Sequence, residues 1–379
     1  MGKTLKTCAF AAAAALMAFA LVACGGQGQS QPAASQAASA ASQPEVKTVT
    51  DAYGRTVQVP PEVQTAATVG SGARFVVYAG GQDKLIAVTE KETEPGMNRP
   101  YTMAFADLFE SLPSTSNGNH LVETNVNEEE LISLAPDVII SSRSAQECDQ
   151  LQQNTGIPVV GITYQDQLFT ENVYNSIQCV GEALGTEGHA QEVIAKMQEW
   201  SSDLSARTAS IPEADRPTVY FGGVNYKGAK SWGGTYAHYA PAEAVGAQNV
   251  ADRTGQDGSI DVDLEQIAQW NPDYMFLNAG NFGLMQQEYS DNQAFFDGLA
   301  AFRQGHLFTQ PSYNFNGTNV DTGICDAYFV GATIYPEAFA DVDLPAKYAE
   351  VYETMLDGFD FYRLMQQDGM AFGPFPALA

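Results

Sequence analysis

Two stretches of the chain repeat one run of apolar and polar positions. NVNEEELISLAPDVII at 125–140 and DVDLEQIAQWNPDYMF at 261–276 align without a gap, Glu129 falling on Glu265. Each copy opens on a helix-capping residue, Asn127 or Asp263, and sets Glu129 or Glu265 in the first turn, where the helix dipole favours a carboxylate. Leu131, Ile132 and Leu134, matched by Ile267, Ala268 and Trp270, supply the apolar face. Pro136-Asp137 and Pro272-Asp273 then stop the helix and turn the chain into a buried strand. Between the copies, 171–184 reads as one helix and 187–209 as another. In the second, Ala190, Val193, Ile194, Met197, Trp200 and Leu204 form an apolar stripe at spacings of three and four, with Gly185 and Gly188 at the junction. A helical spine between two related halves is the first expectation.

Short apolar runs at 66–69, 85–88, 138–140 and 159–162 precede the spine, and others at 218–221, 274–277 and 306–308 follow it. A small hairpin over 48–60 opens the fold, and 346–358 is a last amphipathic helix. Strands alternating with helices predict an α/β protein of two Rossmann-like lobes with mostly parallel sheets, 47–170 and 211–379, joined by a long helix within 171–210. In such sheets ligands meet the loops beyond the carboxyl ends of the strands. Those loops are Ser141-Ser142-Arg143 and Asn278-Ala279-Gly280-Asn281, with further loops rich in aromatic and polar residues at 225–241 and 311–323.

The front of the chain is not part of this pattern. Lys3 and Lys6 precede an unbroken apolar run from Ala11 to Val22, too short to span a bilayer, and then Leu21-Val22-Ala23-Cys24. Residues 1–23 read as a lipoprotein signal peptide and Cys24 as the lipidated residue of a lipobox-like site. Residues 24–46 form a Gly, Gln, Ser, Ala and Pro linker that reaches about 25 Å as a flexible coil. The protein is thus expected outside the cytoplasm, anchored to the cell membrane. A formal charge of −27, or −29 once Lys3 and Lys6 are lost, argues against nucleic acid as a partner. It also matches a solvated acidic surface. Cys148, Cys179 and Cys325 have no metal-ligand spacing; one disulfide with a free thiol and three buried cysteines both remain open.

The order of several pieces resembles the iron-complex and cobalamin type of substrate-binding protein for ABC importers, the class with a helical backbone. They are DAYGRTVQVP at 51–60, the repeated element, ALGTEGHAQEVI in the spine, GAQNVAD at 246–252 and FFDGLAAFRQGHLFTQP at 295–311, running on to IYPEAF at 334–339. The resemblance implies two rigid lobes with the ligand between them and only modest closure. It implies a monomer that works with a permease and its ATPase, and Glu129 and Glu265 docking on permease arginines. The transported ligand would be a ferric siderophore, haem or a corrinoid, with no covalently bound cofactor. Another metal or metal chelate, or a surface receptor without transport, is the alternative.

Such ligands call for aromatic walls, a few basic groups and, in some cases, a Tyr or His on the metal. Arg143, after the first repeated strand, and Arg74, after the first core strand, are the basic candidates; either also fits an ordinary structural arginine. Tyr226, Trp232, Tyr236, His238 and Tyr239 form the aromatic candidates on the second lobe. His238 also fits a hydrogen-bonded surface histidine. The resemblance adds Tyr313, Asn314 and Asn316. A naked Zn or Mn site is not expected, since His and carboxylates do not cluster. Gly70-Ser71-Gly72 lacks the third glycine of a dinucleotide fingerprint, and neither G-x-S-x-G nor H-E-x-x-H occurs, so the chain does not read as an enzyme.

Overall fold

The structure, a computed structural model, describes residues 45–117, 125–224, 228–368 and 372–378. The leader, Cys24, most of the linker and Tyr226 lie outside the described residues. Strands β1 (Lys47–Thr50) and β2 (Thr56–Val59) pair antiparallel as the expected hairpin. Then come β3 (Ala66–Val69), helix α1 (Gly72–Tyr78) and β4 (Leu85–Ala87). Helix α2 (Glu128–Leu134), β5 (Val138–Ser141), α3 (Ala145–Thr155) and β6 (Val159–Gly161) complete a parallel sheet of order β4-β3-β5-β6.

The two spine helices are α4 (Glu171–Leu184) and α5 (Glu187–Thr208). Gly185, at φ 75°, carries the turn between them, whereas Gly188 lies inside the first turn of α5 rather than at the junction. The stripe faces inward as its spacing requires: Ala190, Val193, Met197, Trp200 and Leu204 are buried, and Ile194 packs partly against the same core.

The second lobe holds β7 (Thr218–Gly222), β8 (Gly234–Ala237), β9 (Gln248–Asn249), β10 (Gly258–Asp261), helix α6 (Leu264–Trp270), β11 (Tyr274–Asn278) and β12 (Leu307–Gln310). Helices α7 (Val320–Ile334), α8 (Leu344–Met355) and α9 (Phe361–Asp368) follow, then β13 (Gly373–Pro374). Its sheet runs β9-β7-β11-β12-β13, parallel except for the last pair. Strands β8 and β10 form a separate antiparallel pair, β8 lying within the stretch 225–241 expected to be loop. Gly233 permits close backbone packing at this pair. A Cβ on Gly233 would run into the Val262 carbonyl, whose amide donates to the Gly233 carbonyl at 2.9 Å.

The repeated Pro-Asp has a second purpose besides ending a helix. The Asp137 carboxylate accepts from the Thr65 amide at 3.0 Å, and Thr65 Oγ1 accepts from the Asp137 amide at 3.1 Å. Asp273 and Thr218 make the same exchange at 2.9 and 3.1 Å. Each aspartate therefore aligns the start of a central strand with its neighbour, beside β3 in one lobe and at the head of β7 in the other. The helix ends themselves turn on left-handed Ala135 and Asn271, immediately before the prolines.

Candidate functional site

The carboxyl ends of β7, β11 and β12 meet at a small cavity, with about 20 Å³ open to a water-sized sphere. Phe221 and Gly222 come from β7, Phe276 and Asn278 from β11, Gln310 from β12, and Tyr236 from β8. Tyr239 and the segment from Pro311 to Asn314 complete much of its wall. The chain places it where parallel sheets leave strand ends open.

The aromatic floor is interlocked. Tyr239 stacks on Phe221 with ring centroids 4.1 Å apart, and Tyr313 meets Tyr239 edge-on at 5.2 Å. The Tyr239 hydroxyl donates to Asp326 Oδ2 at 2.9 Å and accepts from Gln310 Nε2 at 2.7 Å. Burial pushes the Asp326 carboxyl well above the usual range, with the Tyr239 hydrogen bond opposing it. Burial, and next the charge of Asp166, push the Tyr236 phenol upward, so it stays a hydrogen-bond donor.

The first lobe closes over this floor through the loop after β6. Asp166 accepts from the Tyr236 hydroxyl and from Asn314 Nδ2, the latter at 2.8 Å, and its amide donates to Thr318 Oγ1 at 2.7 Å. Nearby, Arg74 Nη1 donates to the Tyr164 hydroxyl at 2.8 Å, and its guanidinium lies 4.8 Å from the centre of the Tyr101 ring. Arg74 Nη2 reaches the Asn316 carbonyl of the other lobe at 3.5 Å. Asn319 Nδ2 donates to the Asn98 carbonyl at 2.9 Å.

The sequence candidates divide accordingly. Tyr239, Tyr313, Asn314 and Tyr236 line the cavity, and Arg74 and Asn316 sit on the seam between the lobes. Trp232 does not reach the cavity. Its ring is fully buried against Phe296, Phe302 and Phe375, and its Nε1 donates to the Met285 carbonyl at 2.9 Å. An indole offers so much apolar area that the lobe core takes it. His238 is exposed, at φ 52°, with Nδ1 3.1 Å from Glu243; that hydrogen bond holds its imidazolium above the usual range. Arg143 lies in a separate hollow with Asn125, Glu128 and Gln150, its Nη1 3.3 Å from Glu147. Glu129 and Glu265 are exposed in the first turns of α2 and α6.

Phe221 and Phe276 were legible only as strand residues, and Gln310 fell just beyond the expected strand at 306–308, because nothing in an apolar run marks which of its members forms a cavity wall. Asp166 was missed altogether; its left-handed backbone at φ 60° between Gln165 and Gln167 leaves no motif. Cys148, Cys179 and Cys325 are buried free thiols, which resolves the alternative left open by their spacing. Among the described residues no three or more His, Cys, Asp or Glu side chains gather as a metal site, and no helix is long and apolar enough to cross a membrane.

Two α/β lobes, a spine helix and a cavity closed by the opposite lobe define a two-lobed binding protein. Residues 80–313 match the family described as periplasmic binding protein, and the chain belongs to that family of binding proteins rather than to a class of enzymes. An uncharacterized ABC transporter substrate-binding lipoprotein of Bacillus subtilis, YvrC, is 24% identical over 236 residues, 62% of this chain and 69% of the relative. A periplasmic solute binding protein of Veillonella parvula shares the fold at a TM-score of 0.66 and 23% identity, over 83% of this chain and 93% of that one. The molybdate periplasmic binding protein MolA of Haemophilus influenzae does so at 0.64 and 20%, over 82% and 98%.

Proposed function

We propose that the protein captures a metal complex between its lobes, an iron chelate, haem or corrinoid, and delivers it to the permease and ATPase of an ABC importer. The observation that carries this reading is the cavity itself: three tyrosines and two phenylalanines at or beside strand ends, edged with amides, with Asp166 of the first lobe hydrogen-bonded to Tyr236 and Asn314. Aromatic faces and amide donors suit a bulky, partly apolar complex, and the described residues offer no ligand set for a bare ion. As it stands the cavity has about 20 Å³ open to a water-sized sphere, far below the roughly 300–1,000 Å³ of ligand pockets, so such a complex enters only with the lobes farther apart. Tethering through a lipidated Cys24, and docking through Glu129 and Glu265, belong to the same reading. Each glutamate is exposed and one stands on each lobe.

Thermal-shift screening of the protein against ferric chelates, haem, cobalamin, free divalent metals and molybdate tests it. A stabilisation of about 3–4 kcal/mol is expected where the ligand is present at a hundred to a thousand times its Kd. A shift with molybdate or a bare metal and with none of the complexes would overturn the ligand assignment and leave the binding-protein class standing.

A further inference from the structure

The charges around the cavity are unequal. None of the described lining residues is Arg, Lys or His. Arg74 reaches the seam but is fully buried, and its guanidinium is engaged by Tyr164, the Tyr101 ring and the Asn316 carbonyl. Among the described residues, Arg99 stands 6.0 Å from the Phe315 ring, while the ionisable side chain that hydrogen-bonds to the lining from the opposite lobe is Asp166. Its Oδ1 takes hydrogen bonds from the Tyr236 hydroxyl, from Asn314 Nδ2 at 2.8 Å and from Gln165 Nε2 at 3.1 Å. Its amide is tied to Thr318. The backbone at φ 60° is one that Asp, Asn and Gly adopt more readily than other residues, so the carboxylate is aimed by the chain as well as by its donors.

A ligand that parts the lobes takes up the space between Asp166 and the two donors, and it lies within a few ångströms of that carboxylate. In a partly desolvated cleft, like charges at that range repel far more than in water. The protein's net charge of −27 acts in the same direction from farther away, but salt screens it over about 8–10 Å. Among the described residues, local discrimination therefore falls to Asp166.

Building on the metal-complex reading above, we propose that Asp166 selects the ligand by charge. The cleft admits neutral or cationic metal complexes, such as hydroxamate chelates and corrinoids, and rejects polyanionic ones, such as tris-catecholate chelates.

The test uses a linear ferric tris-hydroxamate with a free ammonium group, the same chelate with that amine succinylated and so made anionic, and a ferric tris-catecholate. Their Kd values are measured on the wild-type protein and on Asp166→Asn. Asparagine keeps the left-handed backbone and an oxygen for Tyr236 and Asn314, so the fold is retained. The wild type is expected to favour the ammonium form over its succinylated twin by about tenfold or more, and in Asp166→Asn that ratio should fall to within about threefold. A ratio unchanged in the variant, or a tris-catecholate bound as tightly as the cationic chelate, would overturn charge selection while leaving the metal-complex reading in place. If all three complexes fail to bind while another ligand class shifts the protein, both readings go together.

Discussion

Glu92 shows how far a single side chain can depart from what its letter suggests. It is fully buried, with Oε1 accepting from the Tyr101 hydroxyl at 2.8 Å and Oε2 from the Thr89 amide at 3.2 Å. Burial raises its carboxyl from 4.5 to about 7, with the Tyr101 hydrogen bond and the Arg74 charge opposing. Burial likewise raises Asp321 from 3.8 to about 6. A carboxyl raised by folding binds more protons in the native state than in the unfolded one. Its contribution is therefore complete below its unfolded value and is lost as pH rises through its folded value. Unfolding by denaturant should show the protein more stable at pH 5.5 than at pH 7.5, by roughly 2 kcal/mol from Glu92 alone. Glu92→Gln, neutral throughout, should flatten that slope; an unaltered slope would remove Glu92 as its source. None of this was legible in the sequence, where nothing in KETEPG at 91–96 marks Glu92 as buried. Trp232 is the converse case, an aromatic in a glycine-rich stretch whose indole is drawn into the core. Tyr239 and Tyr313 were legible because they lie beside strand ends, where the sheet itself delivers them to the cavity.

Elements were easier to read than side chains, since an element's signal is spread over many positions. The strands at 66–69, 138–141 and 218–222 and both spine helices appear close to where their apolar spacing put them. Those that escaped notice are short or held by partners distant in sequence: the β8–β10 pair and the two-residue β13. The repeat was the most informative element of all. Its N-caps form as expected, with Asn127 accepting from the Glu130 amide at 3.2 Å and Asp263 from the Gln266 amide at 2.8 Å. Two short helices so alike present Glu129 and Glu265 in matching first turns. Their dipole interaction contributes only about 0.3–1 kcal/mol each, so charge at these exposed positions is freely replaceable as far as folding goes. If the pair docks on a permease, Glu129→Ala with Glu265→Ala should lower uptake in cells while the isolated protein binds ligand with unchanged Kd. An equal fall in affinity would show that these glutamates serve the cleft instead.

At the scale of the whole molecule, the question is what lets the lobes close. The spine is fixed to the second lobe: Arg207, near the end of α5, reaches Asp341 at 2.6 Å, and Trp200 Nε1 reaches Glu350 on α8 at 3.4 Å. Closure is made instead by the segment before α7, where Asn314, Asn316 and Thr318 all meet the first lobe. Gly317 lies at the centre of that seam with φ 99°, a backbone region other residues rarely adopt. A Cβ there would stand 2.5 Å from Arg74 Nη1, 2.6 Å from the Tyr164 hydroxyl and 3.0 Å from Ser71 Oγ. All three obstacles belong to the opposite lobe, so Gly317→Ala has a means of relief that a core clash lacks: the lobes can stay apart. The backbone strain remains in either state and costs on the order of 1 kcal/mol, but the steric conflict exists only when the cleft is shut. Small-angle scattering should therefore give a larger radius of gyration for the ligand-free variant, with a modest drop in denaturation midpoint and at least about tenfold weaker binding of whatever ligand the wild type holds between its lobes. A variant as compact as the wild type would mean that the seam yields locally, and that Gly317 does not control closure.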